Sequence, residues 1–511
     1  MVISPPLTVC TQEGCKGVEI SREISYNAVF YSLQKGACPA TVKTLYCHHC
    51  NTRYYPNYFV KNASNTDSCR VYYTAPPEIL EAHKHSYLDS GLCQFIENQF
   101  LFAHTSSENI ARIFNRCGQQ SVAIPDEQTA PLTAEVVLDG FILHALLRDA
   151  RYRNYELILP HHTPQPQRMD HAMHARNVMM AGTGQAQWAH ACDDCMKLKT
   201  DADGRTYRIT ACVTDGNTMG HTCCSYRSDD NEPCRQTLQT TQDRFCPLHA
   251  SEEKLCAVRT CREPSQQGFM TCALSEHRRL ETEHREKDQS FLQLKARLFY
   301  TQLAEATRNS TAHKTTPKKT KTVFHRTWTH NEQLAVRPCG VIVSRCTFYQ
   351  AEAVSGVKDF LMATFPPELP GSRPTFLFYD DNCQLWRFLQ NCGQRIREYF
   401  AKIGLPVDVF HFRSKHKITD NICQTHCNPA SFPALRTGGK WTFNSSAAEQ
   451  ANVWFGKYSS IVREMHEHRY NFFLDEMISL HNQVVIERLE KNGKIPHLVP
   501  DDDLCAPVYV S

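Results

Sequence analysis

CSYRSDDNEPCRQTLQTTQDRFCPLHASEEKLCAVRTCREPSQQGFMTCALSEH, residues 224–277, is the stretch around which the rest of the chain is read. Its Cys and His residues are Cys224, Cys234, Cys246, His249, Cys256, Cys261, Cys272 and His277, separated by 9, 11, 2, 6, 4, 10 and 4 residues. Structural zinc takes four thiolate or imidazole ligands at tetrahedral corners, and a short spacer such as Cys246-x2-His249 lets two neighbours meet on one ion without strain. Eight ligand-type residues make two such sets. In chain order these are Cys224, Cys234, Cys246 and His249, then Cys256, Cys261, Cys272 and His277; spacing equally permits an interleaved pairing, and Cys223 can substitute for Cys224. Between the ligands lie Pro233, Pro247, Pro264, Gly268 and polar residues, too little apolar material for a core. Metal would then supply much of the folding free energy. The plain alternative is a set of buried thiols.

Immediately before this stretch, Arg208-Ile-Thr-Ala-Cys-Val-Thr-Asp215-Gly-Asn reads as a short strand closed by a turn. A carboxylate at a strand tip is a common place for catalytic metal, and Asp-Gly is also one of the commonest turns. The 511 residues leave room for roughly two to four domains. With 41% hydrophobic and 21% charged residues the chain reads as globular, and a formal charge of +3 leaves nucleic-acid affinity to local patches. There are 25 cysteines, no basic and apolar leader, and no apolar run of about 18 residues. That combination predicts a soluble intracellular protein with no membrane partner, in which clustered Cys and His mean metal before disulfides.

Residues 1–85 carry Cys10-x4-Cys15 and Cys47-x2-Cys50, followed by two short strands near Tyr54–Val60 and Arg70–Thr74. This predicts a zinc-ribbon-like cluster, with His48 and His49 as bystanders. Residues 86–125 read as helical, either a helix-turn-helix or a small packing unit, and 126–200 as a helical connector containing Cys192-x2-Cys195 with no second pair at an obvious distance. After the double cluster (223–290), a helix and basic linker (291–335) includes Lys314, Lys318, Lys319, Lys321 and Arg326, which suits a nuclear-import signal, a phosphate-contacting linker or a solvated tether. Next come a strand from Gly340, a helix Val354–Phe365, an apolar strand ending at Asp380-Asp381, a helix Leu385–Ile403 and a strand Val407–Phe412. An irregular loop with His416, Cys423, His426 and Cys427 follows, then a long helix opening near Ser446 with Trp454, Tyr458, Ile461, Val462 and Met465 on one face. The order predicts a mixed α/β core of ribonuclease H type, 201–222 and 336–511, split by the double-zinc insertion.

Val213-Thr-Asp215-Gly-Asn-Thr-Met-Gly-His-Thr-Cys-Cys, Phe376-Leu-Phe-Tyr-Asp380-Asp-Asn-Cys383-Gln, Phe410-His-Phe-Arg-Ser-Lys-His-Lys and Asn444-Ser-Ser-Ala-Ala-Glu449-Gln-Ala-Asn-Val-Trp-Phe-Gly resemble fungal proteins of the Kyakuja-Dileera-Zisupton (KDZ) transposase group. Cys47–Thr74 resembles the fifth type of cysteine cluster found with them and Cys224–Glu281 the sixth. The resemblance implies a nuclear, DNA-binding transposase, possible as a homo-oligomer, that acts on transposon ends. It implies an Asp, Asp, Glu site: Asp215 and Asp380 as the first two acids, with Glu449 assigned as the third. Two Mg²⁺ or Mn²⁺ ions suit in-line displacement at such a site, beside two to four structural zinc ions.

Four alternatives stand beside this. Ser446-x-x-Glu449 is also a capping box, and Glu449 lies off the apolar stripe of its helix, facing a sheet only if Val453, Gly456 and Ser460 form the packed side. Asp381 can replace Asp380, since a one-residue shift at a strand end swaps faces. The chain as a whole can be an inactive, transposon-derived protein that binds DNA or protein through zinc. A RING-like ubiquitin ligase fits poorly, because the outer spacers are 9 and 4.

Overall fold

Alternating apolar residues between positions 22 and 47 build the longest hairpin of the chain, β1 (Arg22–Ser32) and β2 (Gly36–Cys47), closed by Gly36 at φ 68°. The computed structural model describes residues 1–511 except 16, 21, 76, 119–129, 201–202, 205, 229, 289–320, 350, 506–508 and 511. Around the hairpin the strands β3 (Thr52–Tyr54), β4 (Tyr58–Lys61), β5 (Cys69–Tyr72), β6 (Ile79–His83) and β7 (Ser86–Asp89) assemble in the order β6-β7-β1-β2-β3-β4-β5. Val2–Ile3 pairs with β2, and β8 (Ile158–Pro160) adds to β5, making a nine-stranded sheet. The expected two-stranded ribbon is thus a small part of a much larger sheet. Its last strand comes from the segment read as a helical connector.

Helices α1 (Ser90–Ala103), α2 (Ser107–Gly118) and α3 (Ala134–Tyr152) cover one face of this sheet. The turn between α1 and α2 is made by His104 in the left-handed region at φ 50°. Leu92, Ile96 and Phe100 of α1 and Ile110, Ala111 and Phe114 of α2 turn into one core shared with α3. That is how a packing unit uses its apolar stripes.

The second sheet holds β9 (Met196–Thr200), β10 (Thr206–Asn217), β11 (Asn331–Val336), β12 (Ile342–Phe348) and β13 (Phe376–Phe378). Beside the C-terminal half of β10, β11 and β12 form an antiparallel hairpin on one side, and β13 runs parallel on the other with Val213 opposite Phe378. The sheet resumes at Asn331, inside the segment read as linker, and Thr222–Cys223 pairs with Thr327–Trp328, closing the base of the insertion. Among the described residues, only Gly404 bridges beyond β13, in parallel to Phe376. The strand expected over Val407–Phe412 is therefore not there. Asp408 instead accepts from the amides of Phe410 (2.8 Å) and His411 (3.0 Å) and starts a helix, α8 (Val409–Lys415), because a buried carboxylate satisfies amides that a helix start leaves open.

Helices α6 (Val354–Thr364) and α7 (Asn382–Gln390) precede α8, with α5 (Ser275–Asp288) in the insertion and α4 (Asp170–Met180) after β8. The helix expected from Ser446 runs from Ala447 to Val462, with α9 (Ala447–Phe455) tightening to a 3-10 turn at Gly456–Tyr458 before a last turn at Ser459–Val462; α10 (Glu467–Lys491) follows. Tyr458 and Val462 are buried. Helix α10 fixes the two halves of the molecule through buried charge: Glu476 meets Arg148 and Arg176, and Asp475 lies 3.0 Å from Arg345, which is 2.6 Å from Glu332. Among the described residues no helix is long and apolar enough to cross a membrane.

Candidate acidic site and metal clusters

The parallel register of β10 and β13 decides where the acids go. With Val213 opposite Phe378, Asp215 and Asp380 each lie two residues further on toward the same end of the sheet; β10 itself runs on to Asn217 with Asp215 opposite Leu334, so the turn expected at Asp215-Gly216 is not there. Helix α9 crosses that end: Asn452 Nδ2 donates to Asp215 Oδ2 (2.9 Å), and Asn217 Nδ2 donates to the Asn452 carbonyl (3.0 Å). Gly456 permits the approach, since a Cβ there would fall 2.9 Å from Asn217 Nδ2. Glu449, one turn earlier on α9, reaches the same pocket.

Helix α8 brings His411 to the centre. Its Nδ1 lies 2.9 Å from Glu449 Oε1, 3.0 Å from Asp380 Oδ1 and 3.4 Å from Asp408 Oδ2. None of these contacts has hydrogen-bond alignment, so His411 Nδ1 and Glu449 Oε1 are both buried without a hydrogen-bond partner. Burial pushes the Asp380 carboxyl up to about 6, with His411 opposing and Asp215 adding to the rise. Burial likewise raises Asp215 and Glu449, and Asp215 adds to the rise at Glu449. Carboxylates raised in this way mark a pocket short of positive charge, and a hard divalent cation would supply it.

The alternatives for these acids resolve by geometry. Ser446 Oγ lies 3.2 Å from Asp408 Oδ1 and donates to it, while the Ser446 amide donates to Asn444, so no capping box forms with Glu449. Val453 is 71% exposed; the buried face of α9 is Ala448, Ala451, Asn452 and Phe455, and Glu449 sits at its edge instead of requiring Val453 to pack. Asp380 faces His411, whereas Asp381 is exposed at the start of α7.

Four neighbours escaped the sequence reading: His411, Asp408, Asn452 and Glu352. Glu352 accepts from Tyr379 Oη (3.2 Å) and is raised by burial and by Asp215. The signal for His411 was an Asp before a helical turn, masked by the β-branched and aromatic run around it. Glu352 lies in a loop with no local signal.

Among the described residues, thiols and imidazoles gather in sets with ligand atoms within 4.8 Å of one another. They include Cys10, Cys15, Cys47 and Cys50; Cys224, Cys234, Cys246 and His249; Cys256, Cys261, Cys272 and His277; His190, Cys192, Cys195 and Cys339; and Cys383, His416 and Cys423. The pairing in the insertion is sequential, not interleaved. Zn–S bonds of about 2.3 Å at tetrahedral angles put two sulfurs about 3.8 Å apart. Cys234 and Cys246 are separated by 3.9 Å, Cys261 and Cys272 by 3.8 Å, and Cys192 and Cys195 by 3.6 Å. These sets could hold zinc. Cys223 stays outside them, paired into the strand at Thr327, as do His48 and His49. Cys192 and Cys195 are completed by a residue far along the chain, Cys339 in the turn between β11 and β12, whose Sγ lies 3.4 Å from His190 Nε2.

Residues 1–118 match a family described as CxC5 like cysteine cluster associated with KDZ transposases, and residues 213–283 match one described as CxC6 like cysteine cluster associated with KDZ transposases. The first match spans the hairpin sheet with α1 and α2; the second begins two residues before Asp215 and includes all eight ligands of the insertion. No curated protein and no solved structure matches the chain. The protein thus carries two cysteine clusters, CxC5-like and CxC6-like, of the kinds associated with KDZ transposases.

Proposed function

We propose that this chain is a KDZ-transposase-like protein of the nucleus that binds DNA and cuts and joins its strands at Asp215, Asp380 and Glu449. The observation that carries the reading is that Asp380, just past β13, and Glu449, in the first turn of α9, lie about 3 Å from His411 Nδ1, while Asn452 of the same helix holds Asp215 of β10. The strand order β12-β11-β10-β13, with β13 parallel to β10, supports a ribonuclease H-type core. Asp215, Asp380 and Glu449 would hold Mg²⁺ or Mn²⁺, which when bound activates an attacking oxygen and steadies a leaving one. The chain's own groups orient the site: Asn452 aims Asp215, and Ser445 Oγ, 2.5 Å from Asp408, holds the start of α8.

A groove of about 600 Å³ between the two lobes of the insertion offers a place for the DNA backbone. Arg227, Arg259 and Lys321 line it, and burial together with Arg227 pushes the Arg259 guanidinium below its ordinary range. Facing cations of this kind gain from a phosphate.

The test is cleavage of supercoiled and transposon-end DNA with Mn²⁺ by the full chain and by Asp215→Ala. Cutting by the first and not the second supports the reading; DNA left uncut by both refutes catalysis. A second reading rests on His411, whose imidazole stands where a cation would: an inactive protein keeps DNA binding in both forms and cuts with neither.

A further inference from the structure

Helix α8 poses a physical problem. It has no buried residue, Phe410 on it is 69% exposed and Ile418 just after it 88% exposed, yet it holds His411 about 3 Å from Asp380 and Glu449. Its apolar anchor is Phe412, half-buried against Cys383, Val407, Cys423 and Cys427, so the helix is held mainly where it meets those cysteines. Its C-terminal end runs directly into His416, whose Nδ1 lies 3.5 Å from Cys383 Sγ and 3.1 Å from Cys423 Sγ.

Cys383 stands on the first turn of α7, three residues past Asp380. Cys423 and Cys427 occupy the ends of a single π-helical turn, whose wide pitch brings residues four apart onto one face. Both are fully buried, and Cys427 lies in the same cluster as Cys383, whose thiol it pushes up. The intervening His426 is not part of the set; it stacks on Trp386 at 4.2 Å. Arg387 and Asp420 clamp the loop with contacts of 2.7 Å. Cys383, His416 and Cys423 have their ligand atoms within 4.8 Å of one another; Cys427 lies outside that group but in the same buried cluster as Cys383, and would complete three sulfurs and one nitrogen, a ligand set of the zinc type.

Resting on the acidic-site reading above, we propose that Cys383, His416, Cys423 and Cys427 hold a structural zinc ion that positions Asp380 and His411. One ion would tie the start of α7 to the end of α8. Asp380 and His411 are then separated from a common fixed point by three and five residues. They act here as positioned groups, and the zinc as their anchor.

The experiment compares the full chain with Cys423→Ser and His416→Cys by zinc content, by amide exchange across 408–416 and by Mn²⁺ affinity. The expected result is that Cys423→Ser loses one zinc per chain, loses exchange protection in 408–416 while keeping it in 22–61, and binds Mn²⁺ at least tenfold more weakly, whereas His416→Cys keeps the full zinc count. An unchanged zinc count in Cys423→Ser, or zinc loss with protection of 408–416 intact, overturns the proposal. Should Cys423→Ser fail to fold, the cobalt-substituted His416→Cys protein decides: an added thiolate-to-cobalt band supports the site and an unchanged spectrum overturns it. Wild-type protein that binds no Mn²⁺, while Cys423→Ser still loses zinc and protection, sinks the acidic-site reading and leaves the zinc anchor standing.

Discussion

Replacing Asp380 with Asn removes a charge that the pocket holds at a cost. Burial, with help from Asp215, lifts this carboxyl from 3.8 to about 6. A rise of that size corresponds to about 3 kcal/mol. The side chain is 35% exposed, so solvent screening cuts the figure to roughly 1.5 kcal/mol. An acid whose folded value is raised destabilises the fold only where it must ionise: the penalty is absent below pH 3.8, grows between 3.8 and 6, and is complete above 6. Without added Mg²⁺ or Mn²⁺ at pH 7.5, Asp380→Asn should therefore melt higher than wild type, by roughly 3–6 °C for a core of this size. The two should converge as pH falls toward 4. Mn²⁺ at a hundred times its Kd stabilises wild type by about 2.7 kcal/mol and should reverse the order. Thermal scans at several pH values, with zinc retained, make the measurement. A variant less stable than wild type at pH 7.5 without Mn²⁺, or equally raised by Mn²⁺, would refute the cation-seeking pocket.

Arg345→Met leaves Glu332 and Asp475 buried without their partner and should cost about 3–5 kcal/mol, read by urea unfolding of the core. Gly456→Ala places a methyl 2.9 Å from Asn217 Nδ2, so the Asn217–Asn452 contact must shift; a loss of about 1–3 kcal/mol and weaker Mn²⁺ binding are expected by thermal melting and titration. Cys234→Ser should lose one zinc by metal analysis and open 224–250 to protease, while 1–118 stays resistant. Arg227→Ala with Arg259→Ala should weaken DNA binding uniformly across sequences and flatten its salt dependence by about 2 in log-log slope.

Ligand spacing was the most legible part of the chain. Cys246-x2-His249 and Cys47-x2-Cys50 place donors within one turn of backbone, so the constraint is local and the linear order displays it. Asp380 was legible as a strand end for the same reason, whereas the turn read at Asp215-Gly216 is continuous strand to Asn217, because β11 pairs with it. Where strand and helix signals competed, local reading failed: Asp408 captures two amides and converts the aromatic run after it into α8. The nine-stranded sheet was hidden because its pairing joins β5 to β8 across α1, α2 and α3.

By itself, then, the order of residues determined which side chains can bind metal in short-range sets and that Asp380 follows the end of a strand, since both depend on spacers of a few residues. Only the tertiary structure decided which distant groups meet: Cys339 with Cys192 and Cys195, Cys383 with His416 and Cys423, and His411 with Asp380 and Glu449. Those meetings follow from strand register and helix docking, where a single parallel pairing of β10 with β13 brings together residues more than a hundred positions apart, and no local pattern encodes that pairing.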